Sequence, residues 1–346
     1  YIAVMFYNNQ EQHSLYLTAD YSDDKRILAV VENFEKQFEK QLEKDITKEE
    51  RLGIKKLVMQ TYLRALALDK CADYGLEALK EFDNFFIREN TMYALLKTGR
   101  YDECLKLANE VKDDTNPVPL YYAAAATLES GEFDASAEYV LELAKQVKTS
   151  EYPKKADELL HSYFSLLVVD TETTKAKYSL LSDEQINKLN SDEFLKNYLA
   201  AYVNACYPSY GGHSIYDDAY TEAMKTALAA IDRVISERGE LCYPYYLKGV
   251  TLMQQKKYDE AVAAYKKAID YKSDDPMIWY ALYAAYEELE EWENAYTAAE
   301  IAIGLSPWFN YYSDYEGIGI HPYSYRDGAK AMIEKQHEAS QKGGNE

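Results

Sequence analysis

Glycine and proline are scarce, 14 and 8 in a chain of 346 residues. Barrels and sandwiches, whose many tight turns draw on Gly, Pro, Asn and Asp, are excluded on that ground, and the chain is expected to be nearly all helix. Cysteine is rare too. Cys71, Cys104, Cys206 and Cys242 show no C-x-x-C spacing and no neighbouring histidine pair, so they are read as small buried core residues and no zinc site is expected. The five histidines (His13, His161, His213, His321, His337) include no His-x-x-x-His helix pair, and neither Gly-x-Ser-x-Gly nor a phosphate-cradling glycine motif occurs. Acidic pairs such as Asp217-Asp218 and Asp274-Asp275 fall at expected helix starts, where capping and the helix dipole account for them. No catalytic residue, metal or cofactor is expected.

Positive charge is also short. Against 59 Asp and Glu there are 38 Lys and Arg, a net charge of −21. Such a field repels phosphate backbones, so a nucleic-acid partner is not expected, nor is charge-driven binding to an anionic membrane; a basic protein or peptide partner is favoured through steering. No apolar run approaches the ~20 residues that span a bilayer. The chain opens on Tyr1-Ile2-Ala3-Val4-Met5-Phe6-Tyr7 and turns polar at Asn8. Two readings of this segment stand, the outer end of a membrane-anchor helix or a short piece packed on the first helices, with a membrane-tethered, extracytoplasmic protein slightly favoured over a cytoplasmic one. Oligomeric state is not legible.

What is abundant is tyrosine, 35 residues against 10 Phe and 3 Trp, so the aromatic payload consists mostly of rings carrying a hydroxyl that wants a partner. From Asp24 to Lys44, Leu28, Val31, Phe38 and Leu42 recur at helical spacing in a charged background. Thr47-Lys48-Glu49-Glu50 is a capping box; it predicts a second helix to about Asp69 that buries Leu52, Leu57, Val58, Tyr62 and Leu66. Thereafter helices alternate with short turns. Turns are expected at Gly99-Arg100-Tyr101-Asp102, Gly131-Glu132-Phe133-Asp134 and Lys257-Tyr258-Asp259, and helix starts at Asn116-Pro117, Asp275-Pro276 and Ser306-Pro307, where a capping side chain precedes a proline that needs no amide partner.

A fixed period underlies the C-terminal part. Ala261 and Ala295 lie 34 residues apart, as do Tyr258 and Trp292. One copy reads Tyr245, Gly249, Leu252, Tyr258, Ala261, Tyr265 and Ala268; the next reads Trp279, Leu282, Tyr283, Tyr286, Trp292, Ala295, Ala302 and Pro307. This pattern resembles the tetratricopeptide repeat (TPR), a 34-residue helix-turn-helix unit. Two positions depart from it. Tyr283 stands where the pattern has Gly, which requires the facing helix to leave more room, and Ala299 replaces the second-helix aromatic. Weaker copies occur upstream at Tyr101-Asp102-Glu103-Cys104 and Phe133-Asp134-Ala135-Ser136, where Cys104 and Ser136 serve as the small residue that lets paired helices approach. The likeness covers about 85–147 weakly and 242–307 strongly.

The resemblance implies an all-α fold, a right-handed α-solenoid of TPR-like hairpins with irregular middle hairpins and a C-terminal capping helix from about Asp327 to Gln341. The expected divisions are an N-terminal segment (1–23), hairpins with degenerate repeats (24–150), irregular hairpins (151–240), two well-matched repeats (241–307), and a Tyr-rich loop with the capping helix (308–346). It also implies a concave groove that binds a peptide or protein segment. The family's groove offsets fall on Tyr243, Tyr246, Val250 and Met253, on Met277, Tyr280, Ala284 and Glu287, and upstream on Val118, Tyr121, Ala125 and Leu128. Tyr121, Tyr246 and Tyr280 recur at one offset; they form either a recognition ladder or packing against the next hairpin. Two loops are also rich in aromatics: residues 207–216, with Tyr210 and His213, and residues 308–325, with Tyr311, Tyr315 and His321. The expected function is thus a non-catalytic interaction scaffold; the alternative is a surface protein that holds a carbohydrate or small molecule with those loops.

Overall fold

The computed structural model describes residues 25–111, 115–150, 153–168, 177–205, 218–305 and 322–343. Among them no strand occurs, and the fold is an all-α helical repeat. In chain order the helices are α1 (Lys25–Leu42), α2 (Lys48–Arg64), α3 (Leu68–Glu81), α4 (Phe85–Lys97), α5 (Tyr101–Asn109), α6 (Pro117–Ser130), α7 (Phe133–Thr149), α8 (Lys154–Val168), α9 (Asp183–Leu189), α10 (Glu193–Ala205), α11 (Asp218–Glu237), α12 (Cys242–Gln254), α13 (Tyr258–Tyr271), α14 (Pro276–Glu288), α15 (Trp292–Leu305) and α16 (Pro322–Gly343). The chain divides into two compact units, Tyr1–Tyr139 and Val140–Glu346.

Helix starts follow their capping chemistry. Thr47 and Glu50 close the capping box of α2, and Ser182 with Gln185 does the same for α9. Asn116 and Asp275 accept the amides of Val118 and Met277 in the first turns of α6 and α14, behind Pro117 and Pro276.

Turns repeat even where the sequence does not. Among the described residues, positive φ occurs at Leu66, Gly99, Gly131, Lys256 and Glu290, and each sits at the same place in a helix-turn-helix unit. Each carries the same pair of backbone bonds. Arg100 N donates to Leu95 O and Gly99 N to Leu96 O; Lys257 N donates to Leu252 O and Lys256 N to Met253 O; Ala67 N donates to Tyr62 O and Leu66 N to Leu63 O. The turns at Gly131 and Glu290 match. This paired closure satisfies the last carbonyls of the first helix. It also corrects the expectation for α2, which ends at Arg64 rather than near Asp69, because Leu66 turns left-handed and starts a further hairpin, α2–α3. Leu57 is not buried as expected but 49% exposed, and Leu66 is 36% exposed.

Three residues beyond the start of each second helix lies the small residue that allows close approach. Cys71, Cys104, Ser136, Ala261 and Ala295 are all fully buried. The Cys104 thiol lies 3.5 Å from Met92 O, and Ser136 Oγ donates to Ala124 O at 2.8 Å. Burial pushes the thiols of Cys71 and Cys104 up to about 12, so both are inert packing groups. Cys242 is likewise free and buried; Cys206 lies outside the described residues.

In the second unit, α10 packs on α11, α11 on α12, and α12–α13 and α14–α15 form the two regular hairpins. α16 packs along α15 and contributes Ala329, Tyr325, Met332 and Ile333 to the same core as Ala295 and Tyr283. It begins at Pro322, a turn earlier than the expected Asp327.

Candidate functional site

The groove offsets of the second unit lie on α12 and α14, and their side chains divide by depth. Tyr243 and Tyr280 are 6% and 5% exposed and form the floor. Tyr246, Val250, Met253, Met277 and Ala284 are partly exposed above it, and Glu287 is exposed at the far end of α14. Of the groove residues expected from the sequence, the structure therefore presents Tyr246, Met253 and Glu287 as surface and sinks Tyr243 beneath them. Tyr280 packs with Ala302, Met277, Trp279 and Tyr325. Tyr121, on α6 of the other unit, is half-buried against Tyr122 at 5.1 Å between ring centroids, and its neighbours Val118, Ala125 and Leu128 are buried. Burial raises the Tyr121 hydroxyl to about 12. An open apolar strip is thus present at α12 and α14 and is not present at α6.

Of the floor residues, Tyr243 is fixed by both hydrogen bonding and stacking. Tyr243 Oη donates to Asp275 Oδ2 at 2.7 Å, while Asp275 Oδ1 accepts from Met277 N at 2.9 Å. One carboxylate thus caps α14 and orients the α12 ring. On its other side the Tyr243 ring stacks on His161 of α8, with centroids 4.1 Å apart and planes 14° apart. His161 meets the edges of Tyr202 at 5.1 Å and Tyr246 at 5.8 Å. The result is an aromatic cluster at the N-terminal end of α12. His161 is half-buried, but its Nδ1 is enclosed and has no hydrogen-bond partner. Burial lowers its pKa to about 3, so it serves the cluster as a neutral ring.

One turn before His161, Asp157 is fully buried. Its Oδ1 accepts from Tyr198 Oη at 2.6 Å, and its Oδ2 accepts from Cys242 N at 2.9 Å and Tyr243 N at 3.2 Å. α12 has no side-chain cap of its own, since Leu241 precedes it; Asp157 supplies one from α8. Desolvation raises the Asp157 pKa to about 6, opposed by the three hydrogen bonds it accepts. Nearby, Lys272 pairs with Glu158 at 3.2 Å and Asp274 at 3.1 Å, tying α8 to the turn before α14.

Sequence reasoning does not single out Asp157 and His161, since the histidine reads as one of five scattered residues. Their i, i+4 spacing places both on one helical face, and that is the available signal. At the other end of the strip, Tyr283 Oη donates to Glu287 Oε1 at 2.9 Å and the Tyr283 ring stacks on Tyr325 of α16 at 5.1 Å. Tyr210, His213, Tyr311, Tyr315 and His321, the loop candidates, lie outside the described residues, as does the N-terminal segment 1–23. Among the described residues no group of side chains could hold a metal ion, and no helix is long and apolar enough to cross a membrane.

Comparison with known proteins bears on the same hairpins. The family model of the TPR repeat matches residues 249–289, from the second half of α12 through α14. No curated protein matches the chain significantly. Among solved structures, the TPR2AB domain of yeast Sti1 in its pHSP90 complex is 14% identical, with 80% of this chain and 97% of that one covered at a TM-score of 0.32. A thermophilic TPR protein of Thermus thermophilus is 15% identical, with 71% and 97% covered at 0.35. An assembly chaperone of RpL4 is 13% identical, with 82% and 96% covered at 0.37. Residues 249–289 thus match the tetratricopeptide repeat, and they are set in an all-α helical-repeat fold.

Proposed function

We propose that the protein is a non-catalytic interaction scaffold that captures an extended peptide or protein segment along α12 and α14. The observation that carries this reading is the strip itself. Tyr246, Val250, Met253, Met277 and Ala284 are partly exposed and apolar, they sit on a floor locked by Tyr243, Asp275 and His161, and a carboxylate stands at one end. A preorganised apolar surface loses little entropy when a partner docks. The net charge of −21 favours a basic partner, chiefly through the association rate. Repeats of this family generally act as non-catalytic scaffolds.

The test is a selection of binders from a random 15-residue peptide library, followed by binding to Tyr246→Ala and Met253→Glu. Selected peptides are expected to be enriched in Lys and Arg, to lose at least tenfold in affinity on either variant, and to associate more slowly as salt rises. Peptides that bind both variants as tightly as the wild type, or no selected peptide at all, would overturn the groove.

A further inference from the structure

The two ends of the strip differ in chemistry, and their separation sets a register. At one end, Tyr246 is backed by His161, Tyr202 and Tyr243, and the four rings together make a neutral wall. At the other, Glu287 is exposed and held by the Tyr283 hydroxyl. Tyr246 is the fifth residue of α12 and Glu287 the twelfth of α14. α12 and α14 are successive first helices of the repeat and run in the same sense, so the two side chains are offset by seven residues along the axis, about 10 Å at 1.5 Å per residue. Neighbouring helix axes lie about 10 Å apart, which makes the diagonal about 14 Å. An extended chain covers about 3.4 Å per residue, so that diagonal corresponds to four residues, and residues i and i+4 project from the same face of an extended segment.

Resting on the groove reading above, we infer that the partner segment carries an aromatic or large aliphatic side chain against Tyr246 and a Lys or Arg four residues away against Glu287. Two features make the ends selective. The aromatic wall carries no charge and offers an apolar side chain edge-to-face contacts. The Glu287 carboxylate, with Oε1 engaged by the Tyr283 hydroxyl, offers a guanidinium or ammonium group a charge-assisted hydrogen bond. Between them the partly exposed Val250, Met253 and Ala284 give an apolar surface that accepts small side chains without choosing among them.

The experiment uses the full chain and acetylated ten-residue peptides in a Ser/Ala background, with Phe fixed at position 3 and Arg at position 5, 6, 7 or 9, plus a Phe-only control, read by fluorescence anisotropy. The peptide with Arg at position 7 is expected to bind at least tenfold tighter than the others. Glu287→Gln is expected to erase that preference while the Phe contribution remains; Tyr246→Ala is expected to erase the Phe contribution while the Arg contribution remains. Tyr246→Leu, which keeps packing volume, separates lost recognition from lost folding and should retain partial binding. Equal affinity at all spacings, or a preference untouched by Glu287→Gln, overturns the register while leaving library-selected groove binders intact. Selected binders that hold both groove variants as tightly as the wild type would instead overturn the groove itself, and the register with it.

Discussion

The last two hairpins solve one packing problem in opposite ways. In α12–α13 the first helix carries Gly249 and the second carries Tyr265, whose ring lies so close that a Cβ at position 249 would stand 2.3 Å from Cε1. In α14–α15 the corresponding residues are Tyr283 and Ala299, both buried in the same cluster. One bulky side chain fills the space between the paired helices in each, but it comes from the second helix in one and the first in the other. The pair Met59 and Gly75 in α2–α3 follows the same rule, with Met59 Cε 3.0 Å from a Cβ at position 75. Total volume is kept and its source is free, as close packing requires. The swap also has a consequence. The Tyr283 ring, placed on α14, reaches both Glu287 and Tyr325, and so links the acidic end of the strip to α16.

The largest expected effect tests that exchange. Tyr283→Gly alone leaves both positions small and should cost about 4 kcal/mol in urea unfolding. Adding Ala299→Tyr restores the arrangement of α12–α13, and the double variant should recover more than half of that loss; a double variant no better than the sum of the single effects would break the comparison.

The two first helices also differ at their starts. α14 is capped by its own Asp275, α12 by Asp157 from α8. The raised folded pKa of Asp157, about 6 against an ordinary ~3.9, means that the folded protein binds more protons than the unfolded chain between these values. This contribution to stability is therefore present at low pH and is lost as pH rises from about 4 to 6, by about 3 kcal/mol. Comparison with Asp157→Asn isolates it: the stability of the wild type relative to that variant should fall by that amount between pH 4 and 7. A difference that stays flat or grows with pH would refute the assignment. Next in size, Gly249→Ala should cost about 2 kcal/mol through overpacking against Tyr265, because the tyrosine is itself fixed in the core.

The smallest effects concern the turns. Gly131→Ala should destabilise by about 1 kcal/mol, whereas Lys256→Gly and Glu290→Gly should stabilise by up to about 1 kcal/mol each, since these side chains hold a left-handed backbone that only glycine adopts freely. Thermal unfolding of the three variants decides the sign.

Much of this is legible in the sequence. The 34-residue spacing of Ala261 and Ala295, the capping box at Thr47 and the Asn-Pro and Asp-Pro starts all correspond to elements found where expected. The α2–α3 hairpin escapes a sequence reading because its turn carries Leu66, at φ 53°, where Gly would announce it. The room that Tyr283 requires can be anticipated, but its match with Ala299 emerges only when two positions are weighed as a pair. Tyrosines on the groove offsets read alike in sequence, yet Tyr280 is floor and Tyr246 is surface; depth depends on neighbours such as His161 and Tyr325, brought in from distant helices.

The Asp157 cap has a meaning for the order in which the second unit is built. Hairpin contacts such as Gly249 with Tyr265 join residues close in the chain, whereas the Asp157 bond to Cys242 N joins residues separated by 85 positions. Closing a loop of that length costs about 1.5 kcal/mol more chain entropy than closing a hairpin of about sixteen residues. α12–α13 and α14–α15 can therefore form from local contacts alone, and the carboxylate of α8 then closes the long loop. It sets the start of α12, and with it the position of Tyr243 and Tyr246, only once the intervening helices have been gathered in.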